Sequence, residues 1–273
     1  MHILAIWFIG GIKMTNKGLC IHYINQDLGK TFLETGANWI RSDIGTLAWA
    51  SLDQNTSIYN FAKQNNIKLL GILDYNIVND NFTLDDWKDA VKNAVQKFNC
   101  EGYEIWNEPF SKYAMKGYQN GTSFHYFDMV KSAYQIIKKI RPKSIVIGGG
   151  GLFSSQIDIA MELKKLGIEK YVDAISLHIY LNIPKFLAEW LLCSQKYYYG
   201  WYIYSVITKY KDVFQVPLWI TEIGMQYTQC SLMEAIPKDI MAFWYEFQDN
   251  DGQYGIVDKN GNKKDSFECF KRW

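Results

Sequence analysis

The sequence predicts an α/β protein built as a single-domain (β/α)₈ TIM barrel. Three observations carry this reading. A short β-branched or aromatic run, a turn and a helical pattern recur along the chain, as expected of βα units around a parallel sheet. Eight such runs can be counted. The chain has 273 residues with no Pro/Gly/Ser-rich linker, and one such barrel takes about 250 residues.

The units follow in order. Gly18 to Tyr23 is the first strand, and a short helix after it ends near Gly36. Asn38 to Asp43 is the second, with a helix near Ser57 to Asn66. Lys68 to Asp74 is nearly all apolar, as a strand covered on both faces should be. Thr83 opens a helix with Asp85 and Asp86 in its first turn, where acidic groups offset the helix dipole. Gly102 to Trp106 is the fourth strand, and the helix from Ser123 to Ile140 ends at Arg141-Pro142. Ser144 to Gly148 is the fifth strand, with its helix over Ser155 to Leu166. Asp173 to Leu177 is the sixth, followed by an aromatic-rich helical stretch to about Lys211. Pro217 to Thr221 and Met241 to Phe247 are the seventh and eighth. An open doubly wound sheet would bring a glycine-rich phosphate loop after its first strand, and no GxGxxG follows Tyr23. The glycines from Gly148 to Gly151 lack the Lys-Ser/Thr of a P-loop and read as a tight turn under the rim.

Hydrophobic residues make up 48% and charged residues 21%, enough apolar material for a large core. A net charge of +1 gives no field for a phosphate backbone, so nucleic acid is not an expected partner. Aromatics reach 16%, with 19 Tyr and 10 Trp, so many polar-tipped rings must meet solvent. Such surfaces suit sugars, although a compositional habit explains them equally well. Five cysteines, at 20, 100, 193, 230 and 269, show no CxxC spacing, so neither a disulfide framework nor a zinc site is expected. Four histidines without an HExxH spacing argue against a metal-dependent hydrolase. The apolar run from Ile3 to Ile12 is too short to span a bilayer, and no Lys or Arg precedes it. Residues 1–17 are therefore set apart as an extension, either a bottom lid or a targeting remnant, with Met14 an alternative start. Residues 18–273 form the barrel. Cytoplasmic and secreted settings are both compatible with this, and the sequons at Asn55, Asn81 and Asn120 do not decide between them.

In such a barrel, function lies at the C-terminal strand ends. Those ends carry Arg41 and Asp43, then Asp74 and Tyr75, then Asn107 and Glu108, then His178 and Tyr180, then Glu222, and finally Trp244 and Glu246. Glu108 and Glu222 sit on strands nearly opposite each other and can meet across the mouth. Two carboxyls about 5 to 5.5 Å apart allow one to attack an anomeric carbon while the other donates a proton. They must then differ in protonation, with Arg41 and Tyr180 placed to keep one ionised. No metal or cofactor is needed for this chemistry. Trp49, Phe110 and Tyr113 are candidates for outer sugar contacts. The stretch Tyr197 to Tyr204 could stack sugars or anchor at a membrane interface, but rings covering the barrel wall are slightly favoured. The short span between Glu222 and Trp244 requires a short seventh helix, which could leave that side reliant on a partner chain. The oligomeric state stays open.

The strings around these residues carry a resemblance. Ile105-Trp-Asn-Glu-Pro109 and Leu218-Trp-Ile-Thr-Glu-Ile-Gly224 resemble the acid/base and nucleophile motifs of the clan A retaining glycoside hydrolases. His178-Ile-Tyr180, Trp39-Ile-Arg41-Ser-Asp43, Phe243-Trp-Tyr-Glu246 and Gly255 to Lys264 are similar to further segments of that clan. Leu73-Asp-Tyr-Asn76 resembles family thirty-nine, which contains β-xylosidases, with the cellulase-containing family five close behind. The resemblance implies Glu108 as acid/base and Glu222 as nucleophile. It also implies that Asn107 meets the 2-hydroxyl, Tyr180 positions Glu222, His178 lines the site, and Trp244 floors the sugar. Arg41, Asp74 and Tyr75 complete the substrate-binding set. The expected substrate is a β-linked oligo- or polysaccharide, cleaved endo-wise in polysaccharide degradation. The alternatives are an exo-acting β-glycosidase or β-xylosidase, or a barrel that binds carbohydrate without turnover. An aldolase- or isomerase-type barrel would need a lysine or a phosphate grip at the last two strands.

Overall fold

A computed structural model describes residues 17–44, 52–74, 83–111, 122–181, 195–227, 229–250 and 252–273. Eight parallel strands close on themselves in chain order. They are β1 (Lys17–Cys20), β2 (Trp39–Asp43), β3 (Lys68–Leu73), β4 (Gly102–Ile105), β5 (Ile145–Phe153), β6 (Ala174–Tyr180), β7 (Leu218–Gly224) and β8 (Met241–Trp244). The helices between and after them are α1 (Gln26–Glu34), α2 (Leu52–Gln64), α3 (Leu84–Lys97), α4 (Ser123–Ile140), α5 (Ile157–Leu166), α6 (Gln195–Val213), α7 (Gln229–Ala235) and α8 (Asp265–Arg272). This is the (β/α)₈ barrel that the sequence predicts. The seventh helix is short, as expected. Among the described residues, no helix is long and apolar enough to cross a membrane.

Period-two alternation divides the core in two. Cys20, Trp39, Leu70, Ile147, Ala174, Met241 and Phe243 fill the lumen. Their neighbours Leu19, Ile40, Leu69, Val146, Ile175 and Ala242 point outward and join the larger shell packed under the helices. Local signals set the helix starts. Thr83 and Asp86 form a reciprocal capping box at α3, with the Asp86 amide donating to Thr83 Oγ1 at 3.2 Å.

Several boundaries differ from the sequence reading: β6 and β7 run on to Tyr180 and Gly224, and β1 and β8 stop at Cys20 and Trp244. The first strand begins at Lys17, whose buried Nζ donates to the Phe270 carbonyl at 2.8 Å and so ties β1 to α8. Burial lowers that lysine to about 8. The helix after β2 begins at Leu52 rather than near Ser57. The glycine run does not end the fifth strand: β5 continues through it to Phe153. The cysteine reading is corrected too. Cys230 of α7 and Cys269 of α8 form a disulfide, joining helices 39 residues apart in sequence. A local staple of this kind needs no repeated spacing, and closing a loop typically adds about 2–4 kcal/mol. Cys20 and Cys100 are buried thiols, and Cys193 lies outside the described residues.

Candidate active site

The mouth is organised around Arg41. Alternation along β2 turns Trp39, Arg41 and Asp43 toward the lumen, and Arg41 is 2% exposed. Its guanidinium reaches β4, β7 and the segment that follows β4. Nε donates to Glu104 Oε2 at 2.6 Å, Nη1 to Glu222 Oε1 at 2.6 Å, and Nη2 to Asn107 Oδ1 at 2.8 Å. Glu104 is fully buried and also accepts from Thr221 Oγ1 at 2.9 Å.

A fork that satisfies so many acceptors fixes all of them, because its donors are coplanar. Desolvation alone would weaken the guanidinium's charge, but Glu104 and Glu222 beside it hold it well above its usual value.

Glu222 reaches the lumen through a bulge. The β7–β8 register shifts between Ile220 and Ile223, and the β6–β7 register shifts between Leu177 and His178. The extra residue lets Thr221 and Glu222 both contact the interior, while Ile220 and Ile223 both stay in the shell. The Tyr180 hydroxyl donates to Glu222 Oε2. Burial pushes the Glu222 carboxyl up. His178, the Arg41 guanidinium and the hydrogen bonds from Tyr180 and Arg41 outweigh it, and the carboxyl lies below its ordinary value. Burial and the Glu222 charge push the Tyr180 phenol well up, so it stays a donor.

Glu108 is placed by backbone. Trp106 and Glu108 lie in the left-handed region, at φ 64° and 50°. Such residues cost about 1–3 kcal/mol unless their surroundings hold them. The Glu108 amide donates to the Gly150 carbonyl at 2.6 Å, and the Ser111 amide to the Glu108 carbonyl at 3.0 Å. Its carboxyl, 27% exposed, meets His178 Nδ1 at 2.9 Å. In the neutral ring, Arg41 Nη2 at 3.4 Å makes His178 Nε2 the acceptor and puts the proton on Nδ1, facing Glu108.

The glycines of β5 make room for this. Gly149, Gly150 and Gly151 all have positive φ, and the β5–β6 register shifts across them. A Cβ on Gly150 would collide with the Pro109 ring, and one on Gly151 with the His178 imidazole. The run is therefore a bulge against which the Glu108 segment rests, not a terminal turn. Gly151→Ala is expected to displace His178 and cut kcat/KM by roughly 10²-fold, with the loss in kcat rather than KM. Steady-state kinetics on one substrate checks it.

Arg41, Asn107, Glu108, His178, Tyr180 and Glu222 thus converge. Glu108, His178 and Glu222 each bring an atom within 4.8 Å of the others. Among the described residues this trio could also hold a cation, but Arg41 already supplies positive charge to Glu222. Asp74 sits one side of this cluster. It is buried beside Asp43, burial and that neighbour raise its carboxyl well above the usual range, and its Oδ1 has no hydrogen-bond partner among the described residues. Phe110 packs edge-on against Tyr126 in the wall. Tyr75, Trp49 and Tyr113 lie outside the described residues.

Trp244 is the correction. It is fully buried in the outer shell, and its indole N–H donates to the Tyr254 carbonyl at 3.0 Å. Alternation along β8 turns Met241, Phe243 and Tyr245 inward and Ala242 and Trp244 outward, so Trp244 cannot floor a ligand at the mouth. Tyr245, one residue on, stands there against Tyr180, Tyr254 and His22. The sequence reading missed Tyr245 and Glu104. Counting parity from Phe243 and from Gly102 finds both.

A model of the cellulase family, glycosyl hydrolase family 5, matches residues 11–262. The chain belongs to glycosyl hydrolase family 5. It is a clan A retaining glycoside hydrolase, and the resemblance of Leu73-Asp-Tyr-Asn76 to family 39 does not set its family. No curated protein matches the chain. Among solved structures, a monomeric β-xylosidase from Caulobacter crescentus is 16% identical with a TM-score of 0.65, over 95% of this chain and 67% of that one. A family 39 enzyme from Xanthomonas axonopodis is 13% identical with a TM-score of 0.67, over 95% and 66%. An endo-1,4-β-mannanase from Rhizomucor miehei is 15% identical with a TM-score of 0.64, over 96% and 94%. The family 5 chain thus spans about two thirds of the two bacterial proteins. At these identities the likeness concerns the barrel alone.

Proposed function

We propose that this family 5 chain hydrolyses a β-linked glycan by double displacement, with Glu222 as nucleophile and Glu108 as acid/base. One observation carries the proposal: one carboxyl oxygen of Glu108 and one of Glu222 lie within 4.8 Å of each other. That approach suits direct attack and is shorter than the roughly 6.5–9.5 Å that leaves room for an inverting water.

In the first step a Glu222 oxygen bonds to the anomeric carbon. The glycosidic bond breaks, and the leaving oxygen takes the Glu108 proton. In the second step Glu108, now ionised, takes a proton from water. The water oxygen bonds to the anomeric carbon and expels Glu222, so two inversions restore the configuration. Arg41 and Tyr180 keep Glu222 ionised and aimed. Asn107, held by Arg41, stands beside the position of the 2-hydroxyl. Tyr245 takes the flooring role that Trp244 cannot, and Asp43 with Asp74 lines the sugar's β2–β3 side.

Endo action is part of the proposal. Exposed Tyr23 and Tyr227 on the rim offer contacts beyond one terminal sugar. Screening β-glucans, mannans, xylans and exopolysaccharides, with product anomers followed by NMR, tests the reading. The β-anomer is expected first, with internal cleavage products. An α-anomer appearing first overturns double displacement, and single terminal sugars overturn endo action.

The lowered Glu222 carboxyl sets the acid side of the pH profile. The acid limb of kcat/KM is expected below pH 4.5, the ordinary glutamate value. The same group contributes stability above that value and loses it as pH falls through its lower folded value. A limb above 4.5 would contradict this assignment.

A further inference from the structure

Helix α6 carries a row of aromatic rings that the catalytic machinery does not use. Its inner face buries Tyr199, Ile203, Val206, Ile207 and Tyr210. Its outer face shows Tyr197, Trp201 and Tyr204 at 81%, 66% and 67% exposure, with Tyr198 tilted against Trp201 at 6.3 Å. The wall-covering reading therefore holds for the inner rings only.

Tyr197, Trp201 and Tyr204 are spaced i, i+4 and i+7 and so form one stripe. At 1.5 Å rise per residue they are staggered by about 6 Å and about 4.5 Å, close to one sugar unit each. Gly200 lies in that stripe, and nothing stands within 4 Å of where its Cβ would be. The result is a bed of rings around a flat centre. From Tyr197 to Thr208 the face carries no charged side chain.

The row lies on the catalytic side of the barrel. A crossover helix runs antiparallel to its strands, so the start of α6 is at the mouth end. Two contacts pin it there: Tyr202 Oη meets Ser154 Oγ at 3.0 Å, and Tyr210 Oη donates to the Phe153 carbonyl at 2.5 Å. Phe153 closes β5 at the mouth end.

We infer that the outer face of α6 is a second carbohydrate-binding site, where Tyr197, Trp201 and Tyr204 stack an uncharged β-linked polysaccharide outside the catalytic cleft. Sugar rings offer apolar C–H faces rimmed by hydroxyls, and this surface offers aromatic faces rimmed by phenols and an indole N–H. An anionic membrane would call for a basic face, whereas no residue from Tyr197 to Thr208 is charged and the flanking Lys196 pairs with Glu234 at 3.3 Å. An uncharged bed suits an uncharged chain. The inference rests on the glycan reading of the catalytic site, and its test is independent of turnover.

Glu222→Gln serves as the hydrolysis-free background. Native electrophoresis through gels containing galactomannan, xylan, mixed-linkage β-glucan or hydroxyethylcellulose measures retention. At least one polymer is expected to retard this protein. Adding Trp201→Ala or Tyr204→Ala is expected to weaken that retention about tenfold. In the otherwise wild-type enzyme, Trp201→Ala should slow hydrolysis of the polymer and leave a short aryl β-glycoside unaffected. Matched melting curves show that each exposed-site variant folds, and Tyr197→Ala provides a second variant. Retention unchanged by these variants overturns the inference, since the cleft alone would then bind. No retention by any polymer overturns it too, as does co-sedimentation with phosphatidylglycerol vesicles that Trp201→Ala abolishes while no polymer is retained. Loss of all hydrolysis by the wild-type enzyme would count instead against the catalytic proposal.

Discussion

Glu222→Ala is expected to abolish hydrolysis, with a loss of at least about 10³-fold on any substrate the wild-type enzyme turns over. The variant removes the group that bonds to the anomeric carbon and leaves a small space where it stood. Azide can enter that space and attack from the same face, and a single displacement gives the α-glycosyl azide. Glu108→Ala should behave differently. Without a proton donor, substrates with poor leaving groups slow by about 10²- to 10⁴-fold, while activated aryl glycosides still form the covalent intermediate. Azide then resolves that intermediate with a second inversion and gives the β-glycosyl azide. Identical azide products from both variants would remove the assignment of roles. Activity surviving in Glu222→Ala would remove the nucleophile itself.

Arg41→Met is expected to have the largest effect on stability. It leaves Glu104 and Glu222, both almost wholly buried, without their shared counter-charge. Breaking a buried pair from one side costs about 3–5 kcal/mol, a large part of the stability of a domain. Urea unfolding measures it. Adding Glu104→Gln should recover part of that stability, because one uncompensated carboxyl is gone, without recovering activity. In the folded fraction of Arg41→Met the acid limb of kcat/KM should move up, since the guanidinium no longer holds Glu222 down. Arg41→Lys should fail as a substitute, because a single ammonium cannot serve Glu104, Glu222 and Asn107 at once. Wild-type stability in Arg41→Met would show that the network is not what holds the mouth together.

Much of this was legible in the chain. The eight apolar runs gave the barrel, because a doubly covered strand has little choice of composition. The strings around Glu108 and Glu222 gave the mouth. What escaped was anything decided by facing rather than by residue type. Trp244 looked like a sugar floor because it is a large aromatic at a strand end, yet one residue of register sends it into the helix layer and brings Tyr245 inward. Glu104 lies within a strand rather than at its end, and its place two residues from Gly102 buries it under Arg41. The glycine run looked like a turn because glycines usually end strands, and only the neighbouring Pro109 and His178 show why bare backbone is required. The Cys230–Cys269 pairing depends on two helices meeting in space, which spacing does not encode.

The glycine bulge of β5 also separates two tasks that a rim could easily entangle. The address of Glu108 is written in main-chain atoms of an adjacent stave, since the Gly150 carbonyl receives the Glu108 amide. The groups that would greet different sugars, Asp43, Asp74 and Tyr245, belong to other staves, at the ends of β2, β3 and β8. Specificity can therefore drift, or be engineered, at those positions while reactivity stays where the backbone has put it.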